Sequence, residues 1–222
     1  MVRTGPCPGP CLLALVTVFV ILSGAGCQKT PERAIDRPLV EKQPELPLPA
    51  AERVEPGAPA KPFALTDQQG KPFDSASLAG KVWLGAIFFA NCPGPCFREN
   101  QAIADILREI DDPDFVAVSL TCDPENDTPD VLRRYADRFE ANPDRWKFLT
   151  GDIAVIKDVA NNSFFLPAEV GVHSERGVVF DRQGRLRGSY HLLQPDRVDL
   201  LKKLIREVLA EDDAAPAKES AP

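Results

Sequence analysis

Residues 82–90 read VWLGAIFFA, and they are followed by Asn91 and the turn Cys92-Pro-Gly-Pro-Cys96. This apolar run contains no charge and no proline, and it is too short to span a bilayer. Such a run is typical of a strand buried on both faces, at the centre of a parallel or mixed α/β sheet. Functional sites of open α/β sheets collect at the carboxyl ends of the strands. We therefore predict that the two cysteines stand at such an end.

The segment after the turn has the pattern of an amphipathic helix. Its apolar residues recur at helical spacing, at Ile103, Ile106, Leu107 and Ile110. If this helix begins near Pro95, both sulfurs can face the same side of its N-terminus. Amide dipoles there favour thiolate, so we expect a lowered pKa for at least Cys96.

A pair of soft thiolates is suited to Cu(I), Zn(II) or an iron–sulfur unit. A structural zinc site takes four protein ligands. Beyond the leader, the chain offers only three further cysteine or histidine side chains, which are Cys122, His173 and His191.

The remaining patterns predict the order of elements around this strand. Hairpins are predicted over residues 62–74, with Gly70 in the turn, and over 177–190. Further strands are predicted over 115–122 and 146–149. Helix starts are predicted at Asp127-Thr128-Pro129, at Asp152 and at Pro195. The order hairpin, β, α, β, α, β, α, hairpin, α indicates an α/β fold, a thioredoxin-like three-layer sandwich with an extra N-terminal β-hairpin.

Two of these helices have a clear predicted inner face. In the helix capped by Asp152, the expected buried side chains are Ile153, Ile156 and Val159. In the last helix they are Val198, Leu201, Leu204, Ile205 and Val208.

Composition excludes some classes of function. The formal charge is −7, from 26 basic and 33 acidic residues, and no basic tract stands out, which argues against a nucleic-acid partner. Three of the six cysteines lie in the leader and three in the body. Three body cysteines cannot all pair with one another, so a disulfide scaffold is not indicated.

The N-terminal segment has the pattern of an export signal. The apolar run of residues 12–22 follows a short segment bearing Arg3, and small residues lead to Cys27. These small residues resemble a bacterial lipoprotein cleavage box, although Gly24 stands where leucine is usual. Three alternatives stay open: lipidation at Cys27, an ordinary signal peptide, or an uncleaved anchor helix. Each places the body outside the cytoplasm, at a membrane and facing the periplasm or another extracytoplasmic space.

The chain is accordingly divided into four parts. Residues 1–27 are the signal peptide or membrane anchor, and residues 28–60, which contain seven prolines, are a disordered linker. Residues 61–210 are the thioredoxin-like domain, and residues 211–222 are a disordered acidic tail.

The two histidines have different predicted roles. His191 follows a strand beside the last helix, where a structural hydrogen bond or solvation is expected. His173 lies in a loop just before the GVVFD strand, and such loops approach the active turn in thioredoxin-like folds. We therefore favour His173 as a ligand.

Three blocks of sequence resemble the SCO/SenC family of copper proteins, anchored thioredoxin-like domains that serve cytochrome c oxidase. The blocks lie within residues 57–209 and are FANCPGPC at 89–96, SLTCDPENDTP at 119–129 and VHSERGVVFDRQG at 172–184. The chain departs from the family at Ala90, where threonine is usual, and at Phe97, where proline is frequent. Residues Thr121 and Cys122 resemble an insertion before Asp-Pro.

The resemblance implies a ligand set and a function. Cys92, Cys96 and His173 match the three copper ligands of the family, and Asp123 matches an acidic residue near the metal. The implied activity is that of a copper-binding metallochaperone, holding Cu(I) or Cu(II), for the binuclear copper centre of cytochrome c oxidase. The implied partner is the copper-bearing subunit of the oxidase or another copper acceptor. Such a carrier is not an enzyme in the strict sense.

Other readings of the same residues remain open. A thiol–disulfide oxidoreductase would use Cys92 and Cys96 to reduce the cysteines of exported proteins, and the two activities can coexist. A peroxide-reducing relative would share the fold, but no peroxidase motif surrounds either cysteine. Cys122 is expected to be a buried small residue, with a fourth sulfur near the metal or a resolving thiol as alternatives.

Overall fold

The computed structural model describes residues 56–170, 172 and 174–211. The predictions for the leader, for Cys27, for most of the linker and for the tail after residue 211 fall outside these residues, as does His173. Within the described residues, no helix is both long enough and apolar enough to cross a membrane.

A seven-stranded mixed sheet forms the centre of the domain. Its strands, in chain order, are β1 (Ala64–Asp67), β2 (Pro72–Asp74), β3 (Val82–Phe88), β4 (Phe115–Thr121), β5 (Trp146–Thr150), β6 (Arg176–Phe180) and β7 (Leu186–His191). They lie side by side in the order β2-β1-β5-β4-β3-β6-β7. Strands β3, β4 and β5 are parallel, whereas β1 and β6 join them antiparallel.

The part of the chain that the structure describes contains four α-helices, namely α1 (Cys96–Glu109), α2 (Pro129–Asp137), α3 (Ile153–Val159) and α4 (Pro195–Ala210). Short helical turns cover Ser75–Leu78 and Ala160–Phe164. Helix α1 packs against β4, α2 against β5, and α4 against β3, β6 and β7. The element order is the one predicted from the sequence.

Strand β3 lies inside the sheet, between β4 and β6, and all seven of its residues are buried, as are those of β4. Alternate side chains of a strand point to opposite faces, so full burial means that the sheet is covered on both sides here. Gly85 lies where the covering layer comes closest. A Cβ atom added there would lie 2.7 Å from the ring of Phe164. The glycine in the apolar run therefore makes room for an aromatic ring.

The predicted helix starts at Thr128 and Asp152 hold, and one predicted buried side chain does not. Thr128 caps α2 by accepting from the Val131 amide, and Asp152 caps α3 by accepting from Ala154. The prediction that Ile153 faces inward is wrong, since its side chain is 39% exposed while Ile156 and Val159 are buried. Ile153 is the first residue of a short helix, and it borders the open cavity that Cys122 and Asp123 also line.

Both ends of the described region are held to the β6–β7 hairpin. The amide of Ala60 donates to the carbonyl of Gly184 over 2.8 Å. At the other end, the carboxylate of Glu211 accepts from both terminal nitrogens of Arg187, the Nη2 bond being 2.6 Å long. These contacts fasten the first and last described segments to one edge of the sheet.

Candidate metal centre

The Cys92-Pro-Gly-Pro-Cys96 turn connects the carboxyl end of β3 to the first residue of α1. Cys92 is half-buried, and its sulfur accepts from the Gly94 amide over 3.4 Å. Cys96 is only 2% exposed. Pro95 immediately precedes α1, and its carbonyl accepts from the Glu99 amide over 3.0 Å. The two prolines thus fix a turn that brings both sulfurs to the start of the helix.

The two sulfurs are not joined in a disulfide, and they share a hydrogen bond. Burial raises the pKa of Cys96 far above its usual value, and the hydrogen bond to Cys92 and the charge of Glu99 act in the same direction. The expected lowering of this pKa is therefore wrong. Helix dipoles do favour a thiolate, but here the cost of burying the charged form is larger. A metal ion would supply the positive charge that the buried thiolate otherwise lacks.

A buried polar network holds the first turn of α1 in place behind the cysteines. The side-chain amide of Asn100 donates to the carbonyl of Cys96 over 2.9 Å and to the hydroxyl of Tyr135 over 3.2 Å. Its oxygen lies 3.5 Å from the hydroxyl of Ser119, which also accepts from the indole of Trp146 over 3.0 Å. Because every member is buried, this network fixes the position of Cys96 relative to β4, α2 and β5.

Asp127 ties the cysteine turn to the end of the neighbouring strand. Its carboxylate accepts from the amide of Ala90 over 2.9 Å and from the hydroxyl of Thr121. It is 1% exposed, and burial raises its pKa. Sequence reasoning had assigned Asp127 only to the start of α2. Its position one residue before the capping threonine gave no sign of the contact with Ala90.

Cys122 and Asp123 lie at the carboxyl end of β4, next to the cysteine turn. Cys122 is 5% exposed, its amide donates to the carbonyl of Phe88 over 2.8 Å, and burial raises its thiol pKa to about 11. This is the buried small residue expected from the sequence. Asp123 is half-buried and accepts from the side-chain amide of Asn126 at 3.0 Å with both oxygens. Both residues line an open cavity of about 390 Å³ that Ile153 and Val170 also border.

Glu99 is a second residue that sequence reasoning missed. It lies one turn after Cys96 and is 4% exposed, and its Oε1 atom has no hydrogen-bond partner within the described residues. Burial, reinforced by the charge of Glu175, raises its pKa to about 7. An acidic residue in the first turn of a helix is ordinarily solvated and stabilises the helix through its dipole. Its burial depends on neighbouring elements that the helical pattern does not reveal.

His191 has the structural role that was expected. Its Nδ1 atom accepts from the Leu193 amide over 3.0 Å, and its Nε2 atom lies 2.9 Å from a carboxylate oxygen of Glu175. Glu175, which has a left-handed backbone with φ of 49°, is thereby held next to β7. Both ring nitrogens of His191 are thus engaged by the protein.

No three histidine, cysteine or acidic side chains are grouped closely enough to hold a metal ion among residues 56–170, 172 and 174–211. The described part therefore supplies two sulfur ligands side by side, Cys92 and Cys96. Their chemistry fits a soft ion such as Cu(I), with further coordination from outside that part. His173, the predicted third ligand, belongs to the residues that the structure does not describe.

The two cysteines lie between the carboxyl end of a buried strand and the start of a helix. This arrangement is typical of thioredoxin-like α/β domains that carry a soft-metal or redox site. The SCO1/SenC family model matches residues 52–209, so the chain belongs to this family. Solved structures of the family confirm the predicted fold. An SCO1/SenC family lipoprotein from Bacillus anthracis covers 70% of this chain and 98% of its own, with 25% identity and a TM-score of 0.63.

Two further structures carry functional descriptions. BsSco, described as a member of the Sco family of cytochrome c oxidase assembly proteins with a disulfide switch, is 25% identical, with a TM-score of 0.63 over 72% of this chain and 99% of its own. ScoI of Bradyrhizobium japonicum, solved with copper bound, is 26% identical, with a TM-score of 0.54 over 68% of this chain and 99% of its own.

Among curated proteins, the SCO1 protein homolog of Bacillus subtilis is 34% identical over 107 residues. The match covers 47% of this chain and 55% of that protein. The chain thus spans about half the length of this relative. The family and fold are therefore shown, while the activity, ligands and partners of this chain are matters for proposal.

Proposed function

We propose that this chain is an exported copper carrier that delivers copper to the binuclear copper centre of a cytochrome c oxidase. The observation that carries the proposal is the pair of Cys92 and Cys96 at the end of β3, whose sulfurs are hydrogen-bonded to each other and not joined in a disulfide. The same family includes ScoI of Bradyrhizobium japonicum, solved with copper, and BsSco, one of its cytochrome c oxidase assembly proteins.

The proposed ligands are the sulfurs of Cys92 and Cys96 and the imidazole of His173. Two thiolates and one imidazole suit Cu(I) and can also hold Cu(II). A shell of three ligands leaves a position open for an incoming ligand, so copper can pass to an acceptor by exchange. The acceptor is the copper-bearing subunit of the oxidase. Asp123 lies near the metal without binding it.

The location of the carrier is also part of the proposal. Residues 1–27 direct the chain out of the cytoplasm and keep it at the membrane, with Cys27 as the point of lipidation. Residues 28–60 are the linker, residues 61–210 the copper-carrying domain and residues 211–222 the acidic tail, whose first residue, Glu211, is held by Arg187. The SCO1/SenC family lipoprotein of Bacillus anthracis supports this arrangement.

A copper titration of the purified full-length chain tests the ligand set. One copper per chain is expected, with Cu(I) affinity measured against a competing chelator and Cu(II) measured by its thiolate charge-transfer band. Cys92→Ser, Cys96→Ser and His173→Ala should each weaken Cu(I) binding by ~100-fold or more, because each removes a direct ligand.

His191→Ala is the matched control, since both ring nitrogens of His191 are already used within the protein. It should retain wild-type copper affinity. Copper binding that is indifferent to His173→Ala would remove that residue from the ligand set. A chain that binds no copper but reduces insulin disulfides rapidly, with or without His173, would replace the carrier with a thiol–disulfide oxidoreductase.

A further inference from the structure

The charge pattern around the cysteine turn differs from that of the rest of the domain. Arg98, Arg134 and Arg138 are exposed, and none has a carboxylate within ion-pairing distance among the residues that the structure describes. Every other arginine in that part contacts a carboxylate or, in the case of Arg176, Ser189. The arginines left without an ion pair are therefore grouped, which is unexpected in a chain of formal charge −7.

All three of these arginines lie on the helix that begins at Cys96 or along α2 and its C-cap, and α2 contacts that helix through Tyr135 and Asn100. Arg98 is two residues after Cys96 in the first turn of α1. Arg138 places its guanidinium 4.5 Å from the ring centre of Phe97, the residue that follows Cys96. Arg134 lies one turn before Arg138 on α2 and precedes Tyr135, whose hydroxyl contacts Asn100 of the network that holds Cys96.

Phe97 gives this surface an apolar centre. Its ring is 38% exposed and packs on Phe139 at 5.1 Å between centroids, so it is held in place while remaining accessible. A fixed aromatic ring bordered by unpaired guanidinium groups combines the residue types that most often dominate protein interfaces. We call the group of Phe97, Arg98, Arg134 and Arg138 the arginine face.

We propose that the arginine face docks a protein partner whose own thiol or metal centre is bordered by carboxylates. The argument is charge complementarity. Arginines without an internal ion pair can form bidentate pairs with an incoming acidic surface without first breaking existing ion pairs. The partner has to reach Cys92 and Cys96, and Arg98 and Arg138 flank Phe97, the residue that follows Cys96. The inference deepens the proposed function, on which it rests for the identity of the cargo.

The test uses thiol–disulfide exchange without copper. Two synthetic peptides of equal length each contain one disulfide, flanked by glutamates in one and by glutamines in the other. The thiolate of Cys92 attacks the peptide disulfide, forming a mixed disulfide and releasing one peptide thiolate. The thiolate of Cys96 then attacks the sulfur of Cys92 and releases the second peptide thiolate. Two electrons pass to the peptide, and its thiolates take up the protons that the cysteines gave up.

The acidic peptide should react ~10-fold faster than the neutral one at low ionic strength, and high salt should remove most of that advantage. Arg98→Gln/Arg134→Gln should lower the ratio of the acidic rate to the neutral rate by ~5-fold. The matched control is Arg108→Gln/Arg133→Gln, which removes one arginine from each of the same helices where both are paired, with Asp105 and Asp130. The control pair should keep the wild-type ratio.

Equal rates for both peptides in the wild-type chain would overturn the proposal, as would equal ratios in the two double variants. If exchange with the peptides is too slow to measure, alkylation of Cys92 by iodoacetate relative to iodoacetamide gives the same comparison of an anion with a neutral reagent. Sedimentation with vesicles of phosphatidylglycerol and phosphatidylcholine tests whether the arginine face binds a membrane instead of a protein. Binding that requires Arg98 and Arg134 would make the face a membrane contact and overturn the proposal.

Failure of this inference is distinguishable from failure of the proposed function. The exchange experiment contains no metal, whereas the copper titration contains no partner. Normal copper binding with no preference for the acidic peptide would contradict only the proposal for the arginine face. If the chain prefers the acidic peptide but binds no copper, the proposal for the arginine face is supported and the proposed carrier function is contradicted.

Discussion

The carboxyl ends of β3 and β4 lie side by side and both carry cysteine, yet only one is built to expose its sulfur. After β3, residues 89–96 form a turn with two prolines that leaves Cys92 half-buried and hydrogen-bonded to Cys96. After β4, residues 121–128 hold Cys122 at 5% exposure, with its amide on the carbonyl of Phe88. We refer to these segments as the β3 end and the β4 end.

The difference between the two ends shows what makes a cysteine available for chemistry in this fold. Burial raises the thiol pKa at both, at Cys96 and at Cys122. What the β3 end adds is a second sulfur in hydrogen-bond contact and a partly open side. A strand end thus places a thiol near the site, but the turn that follows decides whether a metal or a partner can reach it.

The largest effect on stability is expected from removing the carboxylate of Asp127, which links the β3 end to the β4 end. Asp127→Ala removes the acceptor for the amide of Ala90 on the β3 end and for the hydroxyl of Thr121 on the β4 end. Two buried donors would lose a charged acceptor, so the free energy of unfolding should fall by about 4 kcal/mol. Denaturant unfolding monitored by tryptophan fluorescence measures the loss.

Asp127→Asn is the control for this prediction. An asparagine retains one side-chain oxygen that can accept either bond, so the loss should be about 1 kcal/mol. Equal losses for the alanine and asparagine variants would mean that the tie between the ends contributes little and that the side chain acts mainly through packing.

Much of the β3 end could be predicted from the sequence because its signals are local. The uncharged run set the position of β3, and the paired prolines and the helical spacing set the start of α1 at Cys96. The caps Thr128 and Asp152 were also local, since each accepts a bond from a residue a few positions along the chain.

The features that sequence reasoning missed depend on burial by other parts of the fold. The lowered pKa of Cys96 was expected from the helix dipole alone. The surrounding elements leave this residue only 2% exposed, and burial acts in the opposite direction. Glu99 and Asp127 are charged residues near helix starts, where solvated acids are common, and neither local pattern reveals a buried carboxylate. Ile153 has helical spacing with Ile156, yet it is the first residue of its helix and its side chain is exposed.

A smaller effect is expected from Glu99, which lies behind the β3 end and whose Oε1 atom has no hydrogen-bond partner within the described residues. Its pKa in the folded chain is about 7, above the ordinary value of 4.5. The folded chain therefore binds this proton more tightly than the unfolded chain. The contribution to stability is complete below the ordinary pKa and is lost as the pH rises through the folded pKa.

Glu99→Gln removes this dependence because a glutamine stays neutral at every pH. Relative to the wild-type chain, the variant should gain about 2 kcal/mol in free energy of unfolding between pH 4.5 and pH 7.5, after allowance for partial solvent screening. Denaturant titrations at several pH values measure the difference. A variant whose stability relative to the wild type is the same at both pH values would show that folding does not raise the pKa of Glu99.

The smallest effect should come from the thiol of the β4 end, and it sharpens the comparison with the β3 end. Cys122→Ala removes one buried sulfur, which should cost about 1 kcal/mol in free energy of unfolding through lost packing. Cys122→Ser should cost more, because the new hydroxyl would be buried without an assured partner. Neither change should alter Cu(I) affinity beyond about threefold, because the sulfurs that are hydrogen-bonded to each other are those of Cys92 and Cys96, whereas Cys122 is held through its amide on the carbonyl of Phe88. The copper titration proposed for Cys92 and Cys96 checks this directly. A large loss of copper binding in Cys122→Ala, with the fold retained, would mean that the two strand ends share the metal and that Cys122 is a ligand.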